Sequence, residues 1–223
     1  MTRAVEIDLT DVVLQGDLTV PAGAAGLVIF AHGSGSSRHS PRNRFVAGVI
    51  NRAGLGTLLM DLLTEEEERV DEMTRELRFD IGLLGRRVAR VVQWAAEREE
   101  LSELSVGLFG SSTGAAAALV AAAALPENVR AVVSRGGRPD LAGRALPKVE
   151  CATLLVVGGL DEVVIGLNEE ARARMRCPVE LVIVPGATHL FEEPGTLEEV
   201  ARLAAEWFAR QLAVPVAVGR HEP

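Results

Sequence analysis

Three residues of this chain have the types and the order needed for nucleophilic catalysis. Ser112 is the central residue of Gly-Ser-Ser-Thr-Gly at 110–114, which matches the G-x-S-x-G pattern of a serine on a sharp turn from strand to helix. Asp161 and His189 follow later strand-like runs. A serine hydroxyl is a poor nucleophile, so a histidine held by an acid must take its proton as it attacks. The spacing predicts Ser112 as nucleophile, His189 as base and Asp161 as the acid.

Two backbone N–H groups are candidates to stabilise the negative charge that would develop on a substrate oxygen. The first is that of Thr113, the residue after the predicted nucleophile. The second belongs to Ser34, in the loop His32-Gly-Ser-Gly-Ser that follows an apolar run. The glycines beside Ser34 let this backbone turn toward a substrate. We expect the His32 side chain to brace the loop by hydrogen bonding.

The acid that would orient His189 has rivals. Asp161 is favoured because it follows the penultimate strand-like run. The same residue could instead cap the helix that comes after it. Asp140, after the preceding strand, is the first rival acid, and Glu162 is a more distant one.

Arg135 directly follows a predicted strand and could bind a substrate carboxylate through two parallel hydrogen bonds. It could equally pair with an acidic side chain such as Asp61 or Asp140, and the sequence leaves that choice open. Arg38 and His39 follow the glycine-rich loop. We expect both to face solvent at the rim of the site.

An alternation of strands and helices must position these residues. Residues 5–9 and 12–20 alternate apolar and polar side chains, which predicts an antiparallel opening pair. The later runs are continuously apolar, as is typical of parallel strands buried on both faces. We therefore predict an α/β fold, with a mostly parallel central sheet and helices on both faces. The later strands are predicted at 26–31, 57–60, 105–109, 129–134, 153–157 and 180–184, and the helices at 43–52, 77–95, 113–124, 169–175 and 197–212.

The 223 residues are predicted to form one domain at 1–213, followed by a loose tail at 214–223. The segment 64–80 is strongly acidic, with four consecutive glutamates at 65–68. We interpret it as a solvated helix start that could partly shelter the site. Only residues 135–152 separate two predicted strands, which is too few for a cap domain.

Four motifs in this order resemble the α/β-hydrolase superfamily, and in particular the dienelactone-hydrolase-like group. They are His32-Gly-Ser-Gly-Ser, Gly-Ser-Ser112-Thr-Gly, Gly-Gly-Leu-Asp161-Glu-Val-Val and Pro-Gly-Ala-Thr-His189-Leu-Phe. The resemblance implies the α/β-hydrolase fold, a Ser-His-Asp triad, and no cofactor or metal. Dienelactone hydrolases use a cysteine nucleophile, whereas this chain offers Ser112. We therefore expect a serine esterase acting on small carboxylic esters or lactones through an acyl-enzyme.

Composition limits the partners. The net charge is −8, which disfavours nucleic acid or an anionic membrane as the main partner. Cys151 and Cys177 are too few for a disulfide framework, and we expect buried free thiols. The sequence begins without a hydrophobic signal core, so we expect a cytoplasmic protein with a small-molecule ester substrate. The sequence leaves open whether the protein forms a homodimer.

Two other classes of function compete with a hydrolase. The glycine-rich turn around Ser112 could bind a nucleotide, but it lacks the G-x-G-x-x-G spacing. The chain has no tyrosine, which excludes the short-chain dehydrogenase mechanism. Alternatively, the chain could be a binding or regulatory module on the same fold with weak or lost turnover. The presence of all three triad residues argues against that reading.

Overall fold

The structure is a computed structural model that describes residues 1–213. The predicted tail at 214–223 lies outside the described residues.

The centre of the fold is an eight-stranded sheet with the order β1-β2-β4-β3-β5-β6-β7-β8. The opening strands β1 and β2 pair antiparallel, and β2 also pairs antiparallel with β4. All other neighbours are parallel. This confirms the predicted mostly parallel sheet with an antiparallel opening. The strands are β1 (Thr2–Asp8), β2 (Val13–Thr19), β3 (Gly26–Ala31), β4 (Gly56–Met60), β5 (Ser105–Ser111), β6 (Val129–Arg135), β7 (Ala152–Gly158) and β8 (Val179–Val184).

Helices cover both faces of the sheet, as predicted. Each face has its own apolar core, because the side chains of successive strand residues point to opposite sides. Helices α3 and α4 pack on one face, and α1 and α6 pack on the other. The described residues form six α-helices: α1 (Pro41–Arg52), α2 (Glu65–Thr74), α3 (Ile81–Ala96), α4 (Thr113–Ala124), α5 (Glu162–Arg174) and α6 (Thr196–Leu212).

The predicted helix at 77–95 begins later than expected. Residues Leu77–Phe79 form a short 3-10 turn, and α3 starts at Ile81 because the Asp80 side chain accepts the N–H of Leu83 as an N-cap. The acidic segment ahead of it forms α2. Helix α2 is fixed at its start by a reciprocal capping box between Thr64 and Glu67.

Helix α5 begins at Glu162, whereas the sequence predicted a helix only from 169. The connection from β6 to β7 contains a 3-10 run at Pro139–Lys148 that is kinked at Gly143. Within residues 1–213 no insertion forms a separate cap domain. Over the same residues, the structure has no helix with the length and apolarity to cross a bilayer.

Both cysteines are free thiols at the end of the sheet opposite the predicted site. Cys151 is buried, whereas Cys177 is only half-buried, so the expectation of two buried thiols needs that correction. Burial raises the pKa of the Cys151 thiol to about 12. This thiol therefore stays protonated and unreactive near neutral pH.

Candidate active site

Ser112 lies at a strained corner between β5 and α4. Its backbone has φ 50° and ψ −122°, a conformation that residues with a side chain rarely adopt. The two glycines of the motif make this corner possible. A Cβ on Gly110 would lie 2.4 Å from the Cα of Ala115, and one on Gly114 would lie 2.2 Å from the carbonyl oxygen of Ala31. Strand and helix can approach this closely only because both positions lack a side chain.

His189 and Asp161 meet at the carboxyl ends of the last two strands. His189 lies on the loop after β8, and Asp161 lies between β7 and α5. The ring Nδ1 of His189 is 2.7 Å from Oδ2 of Asp161. The histidine side chain is 38% exposed and that of the aspartate 17%. Asp161 occupies the N-cap position of α5 but makes no side-chain cap bond, so its carboxylate serves the histidine and not the helix.

Neither rival acid makes a hydrogen bond to His189. Asp140 accepts two hydrogen bonds from the guanidinium of Arg138, at 2.9 and 2.8 Å. Glu162 is exposed in the first turn of α5. Of the three candidates, only Asp161 contacts His189.

The backbone after β6 connects the serine corner to the histidine loop. The N–H of Ser112 donates to the carbonyl oxygen of Arg135 at 3.3 Å. A Cβ on the next residue, Gly136, would lie 3.0 Å from the carbonyl oxygen of His189. Among residues 1–213 the Ser112 hydroxyl makes no hydrogen bond to His189. Catalytic hydrogen bonds are commonly loose in free enzymes and tighten when substrate binds.

The loop after β3 lies directly against the serine. A Cβ on Gly33 would be 3.1 Å from the Cβ of Ser112. Thr113 is the first residue of α4, where backbone N–H groups have no partner within the helix. The N–H of Ser34 is engaged, because it donates to the hydroxyl Oγ1 of Thr113 at 2.9 Å. This side-chain contact was not foreseen from the sequence.

The predicted bracing role of His32 is confirmed. Its Nε2 accepts the N–H of Leu62 at 3.1 Å, so its Nδ1 carries the proton and donates to the carbonyl oxygen of Gly33 at 2.9 Å. Burial lowers the pKa of His32 below its ordinary value. The ring is therefore neutral, and it ties the β3 loop to the loop after β4.

Within residues 1–213, Arg135 forms no ion pair with an acidic side chain. Asp61 binds Arg38 through both the backbone N–H and the guanidinium, and Asp140 binds Arg138. Both acids that could have paired with Arg135 are thus taken. The prediction that Arg38 faces solvent is wrong, because its pairing with Asp61 draws it into a half-buried position, whereas His39 is exposed as expected.

Two acidic side chains of the segment 64–80 form ion pairs that hold α2 in place. Glu67 pairs with the buried guanidinium of Arg87 at 2.6 and 2.7 Å, and the buried Asp71 pairs with Arg78. The segment does begin a helix with exposed glutamates, as predicted, but Glu67 and Asp71 are held in ion pairs and do not face solvent freely. The sequence signal for this pair is Arg87, which lies among the apolar residues of α3. A charge in such a position needs an acidic partner nearby.

The segment also shelters the loop that carries Ser34. A small, partly open cavity of about 20 Å³ lies between this loop, Thr113, Glu68 and Arg78. A larger groove of about 780 Å³ runs along α2, and its lining includes neither the serine nor the histidine. The catalytic candidates thus lie on an open edge that is covered on one side by α2.

Comparison with known proteins places the chain in a family. The model of the dienelactone hydrolase family matches residues 26–214. A crystal structure of dienelactone hydrolase from Anabaena variabilis ATCC 29413 is 57% identical, with a TM-score of 0.93, and the match covers 95% of this chain and 98% of that one. The structure of Est1E from Butyrivibrio proteoclasticus, 18% identical with a TM-score of 0.78, covers 95% of this chain and 99% of its own, and shows the same fold.

Two proteins of Mycobacterium tuberculosis, from strains CDC 1551 / Oshkosh and ATCC 25618 / H37Rv, carry the name "Putative phosphoribosyl transferase". Each is 57% identical over 211 residues, which are 95% of this chain and 47% of the relative. The chain thus spans about half the length of the curated relatives it matches. Its match to the family model and to 98% of the Anabaena chain decides its membership: the chain belongs to the dienelactone hydrolase family and has the α/β-hydrolase fold.

Proposed function

We propose that this protein is a hydrolase that cleaves small carboxylic esters or lactones through an acyl-enzyme formed on Ser112. The observation that carries the proposal is a strained serine after β5 together with a hydrogen-bonded His189–Asp161 pair after β8 and β7, all at the carboxyl ends of the parallel strands. Strain of this kind costs about 1–3 kcal/mol, and it clusters at functional sites. A module that only binds would have no use for it.

In the first half-reaction, the Ser112 Oγ attacks the carbonyl carbon while Nε2 of His189 takes its proton. The carboxylate of Asp161 holds Nδ1–H, which leaves Nε2 free as the base, and it stabilises the imidazolium that forms. The tetrahedral intermediate then collapses. The C–O bond to the leaving alcohol breaks, and the alcohol oxygen takes the proton from Nε2.

The second half-reaction uses the same groups with water. Nε2 of His189 takes a proton from water as the water oxygen attacks the acyl carbon of the Ser112 ester. The second tetrahedral intermediate releases the carboxylic acid, and the Ser112 Oγ recovers its proton. A lactone opens by the same steps, with the alcohol still attached to the acid that is released.

The oxyanion is stabilised by the N–H groups of Thr113 and Ser34. The Thr113 N–H is the direct donor, since helix geometry leaves it without an internal acceptor. The Ser34 N–H becomes available when the Thr113 hydroxyl rotates away. That rotation exchanges one hydrogen bond for a stronger one to a developing negative charge.

The open edge favours small, soluble substrates. No separate cap covers the site within the described residues, and α2 shelters only the side of the Ser34 loop. A cysteine mechanism is not proposed. Cys151 immediately precedes β7 and its thiol stays protonated, so Ser112 is the proposed nucleophile.

Phosphoribosyl transfer, the activity in the name of the two mycobacterial relatives, is not proposed for this chain. More than half of each relative lies outside the matched region. The glycines of the serine corner are used in close packing of α4 on β5 and β3, which leaves the nucleotide-loop reading without support.

The test is covalent labelling with a fluorophosphonate, followed by peptide mapping. We expect one label on Ser112, none in Ser112→Ala, and normal labelling in the neighbouring variant Ser111→Ala. A chain-length series of p-nitrophenyl esters, with lactones included, then ranks the substrates. Folded wild-type protein that takes no label and cleaves none of these esters would contradict the proposal.

A further inference from the structure

Asn168 is a fully buried polar side chain in the middle of α5. Its Nδ2 donates to the carbonyl oxygen of Val164, one turn earlier, at 2.8 Å, and to that of Gly137, in the loop after β6, at 3.0 Å. Both partners are acceptors, so the donor end of the amide must face them. Its Oδ1 has no hydrogen-bond partner within residues 1–213. A buried amide that is only partly satisfied adds little stability to a fold, which points to a different role.

The loop that accepts the bond to Gly137 also holds the serine corner. We call this loop, residues 135–138, the platform loop. The N–H of Ser112 donates to the carbonyl oxygen of Arg135 at 3.3 Å, and the N–H of Arg138 donates to the carbonyl oxygen of Ser112 at 3.0 Å. These two bonds involve both backbone polar groups of the serine, so the platform loop fixes its position.

The platform loop also contacts His189. Gly136 has φ 49°, and a Cβ there would lie 3.0 Å from the carbonyl oxygen of His189 and 3.6 Å from its Nδ1. A glycine at this position leaves room for the histidine to lie this close. The N–H of Gly136 donates to the carbonyl oxygen of Val156 at 2.8 Å, which ties the loop to β7. One piece of backbone thus supports both Ser112 and His189.

Asp161 is linked to the platform loop through its helix. Its own N–H donates to the carbonyl oxygen of Gly158 at 3.0 Å, which holds its backbone at the end of β7. Asp161 is also the N-cap of α5, and Asn168 lies two turns further along that helix. Within residues 1–213, Asn168 makes the only side-chain hydrogen bond between α5 and the platform loop. This bond fixes the direction in which α5 leaves Asp161.

We propose that Asn168 is a positioning residue, which holds α5 on the platform loop so that the carboxylate of Asp161 meets His189 at the place that Ser112 requires. The inference rests on the proposed hydrolase function and adds to it a residue that does not touch the substrate. The Ser112 hydroxyl makes no hydrogen bond to His189 among the described residues, so their spacing depends on these supports. A misplacement of about 1 Å can lower turnover about 100-fold.

The test measures ester turnover in Asn168→Leu, which removes the amide and keeps a side chain of similar size. We expect kcat to fall about 10–100-fold and KM to stay within about 2-fold of wild type, because no group that binds substrate is lost. The control is Val164→Ala, which removes buried packing from the same helix, keeps the Asn168 bond and should retain wild-type kcat. Urea unfolding checks that each variant is folded, and Asn168→Ala replaces Asn168→Leu if leucine prevents folding.

A double-mutant comparison shows whether Asn168 acts through the acid. In an Asp161→Asn background, Asn168→Leu should lower kcat by less than about 2-fold, because the group that it positions is already lost. A general loosening of the fold would lower kcat by the same factor in both backgrounds. That result would overturn the positioning role, as would wild-type kcat in Asn168→Leu or an equal fall in Asn168→Leu and Val164→Ala.

Proton NMR separates this inference from the proposed function. The proton that His189 Nδ1 shares with Asp161 should give a downfield resonance in wild type and in Val164→Ala, and this resonance should shift upfield or disappear in Asn168→Leu. If wild type cleaves no ester, the hydrolase proposal fails, and this comparison still tests the positioning role. The same spectrum in wild type and Asn168→Leu would show that Asn168 does not place the acid.

Discussion

Two regions of this protein bury an arginine, and they treat it in opposite ways. Between α2 and α3, the guanidinium of Arg87 donates to both carboxylate oxygens of Glu67 and to the carbonyl oxygen of Leu62 at 2.8 Å. At the end of β6, the guanidinium of Arg135 has no such partner among the described residues. The side chain of Arg87 is as buried, at 6% exposed, so depth alone does not explain the difference.

The two arginines lie in regions with different roles. The surroundings of Arg87, which we call the stability region, hold the fold together, whereas the strand ends at Ser112 and Arg135 form the candidate site. Around Arg87 the charges neutralise one another and hold α2 against the fold. At the strand ends, the strain of Ser112 and the unpaired charge of Arg135 both cost folding free energy. Costs of this kind are typical of sites arranged for a ligand or a transition state. Substitutions in the two regions should therefore separate stability from turnover.

The largest expected effect is at Ser112. Replacement by alanine should lower ester turnover by about 10⁴–10⁶, because it removes the nucleophile. Ser112→Gly should be equally inactive but more stable than Ser112→Ala by about 1 kcal/mol, since glycine adopts φ 50° without strain. Steady-state assays and urea unfolding give the two quantities. An alanine variant that retains turnover would refute the nucleophile assignment.

The next effect is at Asp161. Asp161→Asn should lower kcat by about 10²–10⁴, because the histidine loses the carboxylate that fixes its tautomer and stabilises its charged form. The matched control is Asp140→Asn, whose carboxylate binds Arg138 instead, and it should retain wild-type kcat. Equal activity of the two variants would show that the acid is misassigned.

In the stability region, Glu67→Ala should lower the free energy of unfolding by about 3 kcal/mol, because it leaves the buried charge of Arg87 unpaired. The exposed neighbour Glu66→Ala should change it by less than about 0.5 kcal/mol. Turnover per folded molecule should stay at the wild-type value in both. A Glu67→Ala protein as stable as wild type would show that the pairing of Arg87 with Glu67 does not contribute to stability.

The Glu67–Arg87 pair should make the free energy of unfolding depend on pH. The hydrogen bonds from Arg87 are the main cause that lowers the pKa of Glu67 below its ordinary value in the folded state. This contribution to stability is therefore present above the unfolded pKa of about 4.5 and is lost as pH falls through the lower folded pKa. The stability difference between wild type and Glu67→Gln should shrink over that acidic range, measured by urea unfolding at each pH.

The smallest effect is expected at Thr113. Thr113→Val removes the hydroxyl that accepts the Ser34 N–H, so the unfolding free energy should fall by about 1 kcal/mol. Because that N–H is then free to meet the oxyanion, kcat/KM should not fall. Thr113→Ser keeps the hydroxyl and should match wild type in both measurements. A large loss of turnover in Thr113→Val alone would mean that the hydroxyl itself contacts the substrate.

Much of the fold follows from local sequence. Apolar runs of strand length and amphipathic helical spacing placed every strand and most helices within a few residues. The start of α3 was missed because Asp80 caps it after a 3-10 turn. Helix α5 was predicted too short because its first turns hold β-branched residues at 163–165 and then Gly166, which have low helix propensity. Capping and packing decide where such helices begin, and the periodicity of apolar residues does not reveal either of them.

The sequence by itself determined the order of Ser112, Asp161 and His189 and the glycines that let the serine corner form. Covalent order and the absence of a Cβ are local properties, so they can be read without coordinates. Which acidic side chain pairs with each arginine was decided only by the tertiary structure. Asp61 and Asp140 bind Arg38 and Arg138, and Arg135 is left without either. Charge pairing depends on distances between side chains far apart in the chain, and these exist only once the sheet has assembled.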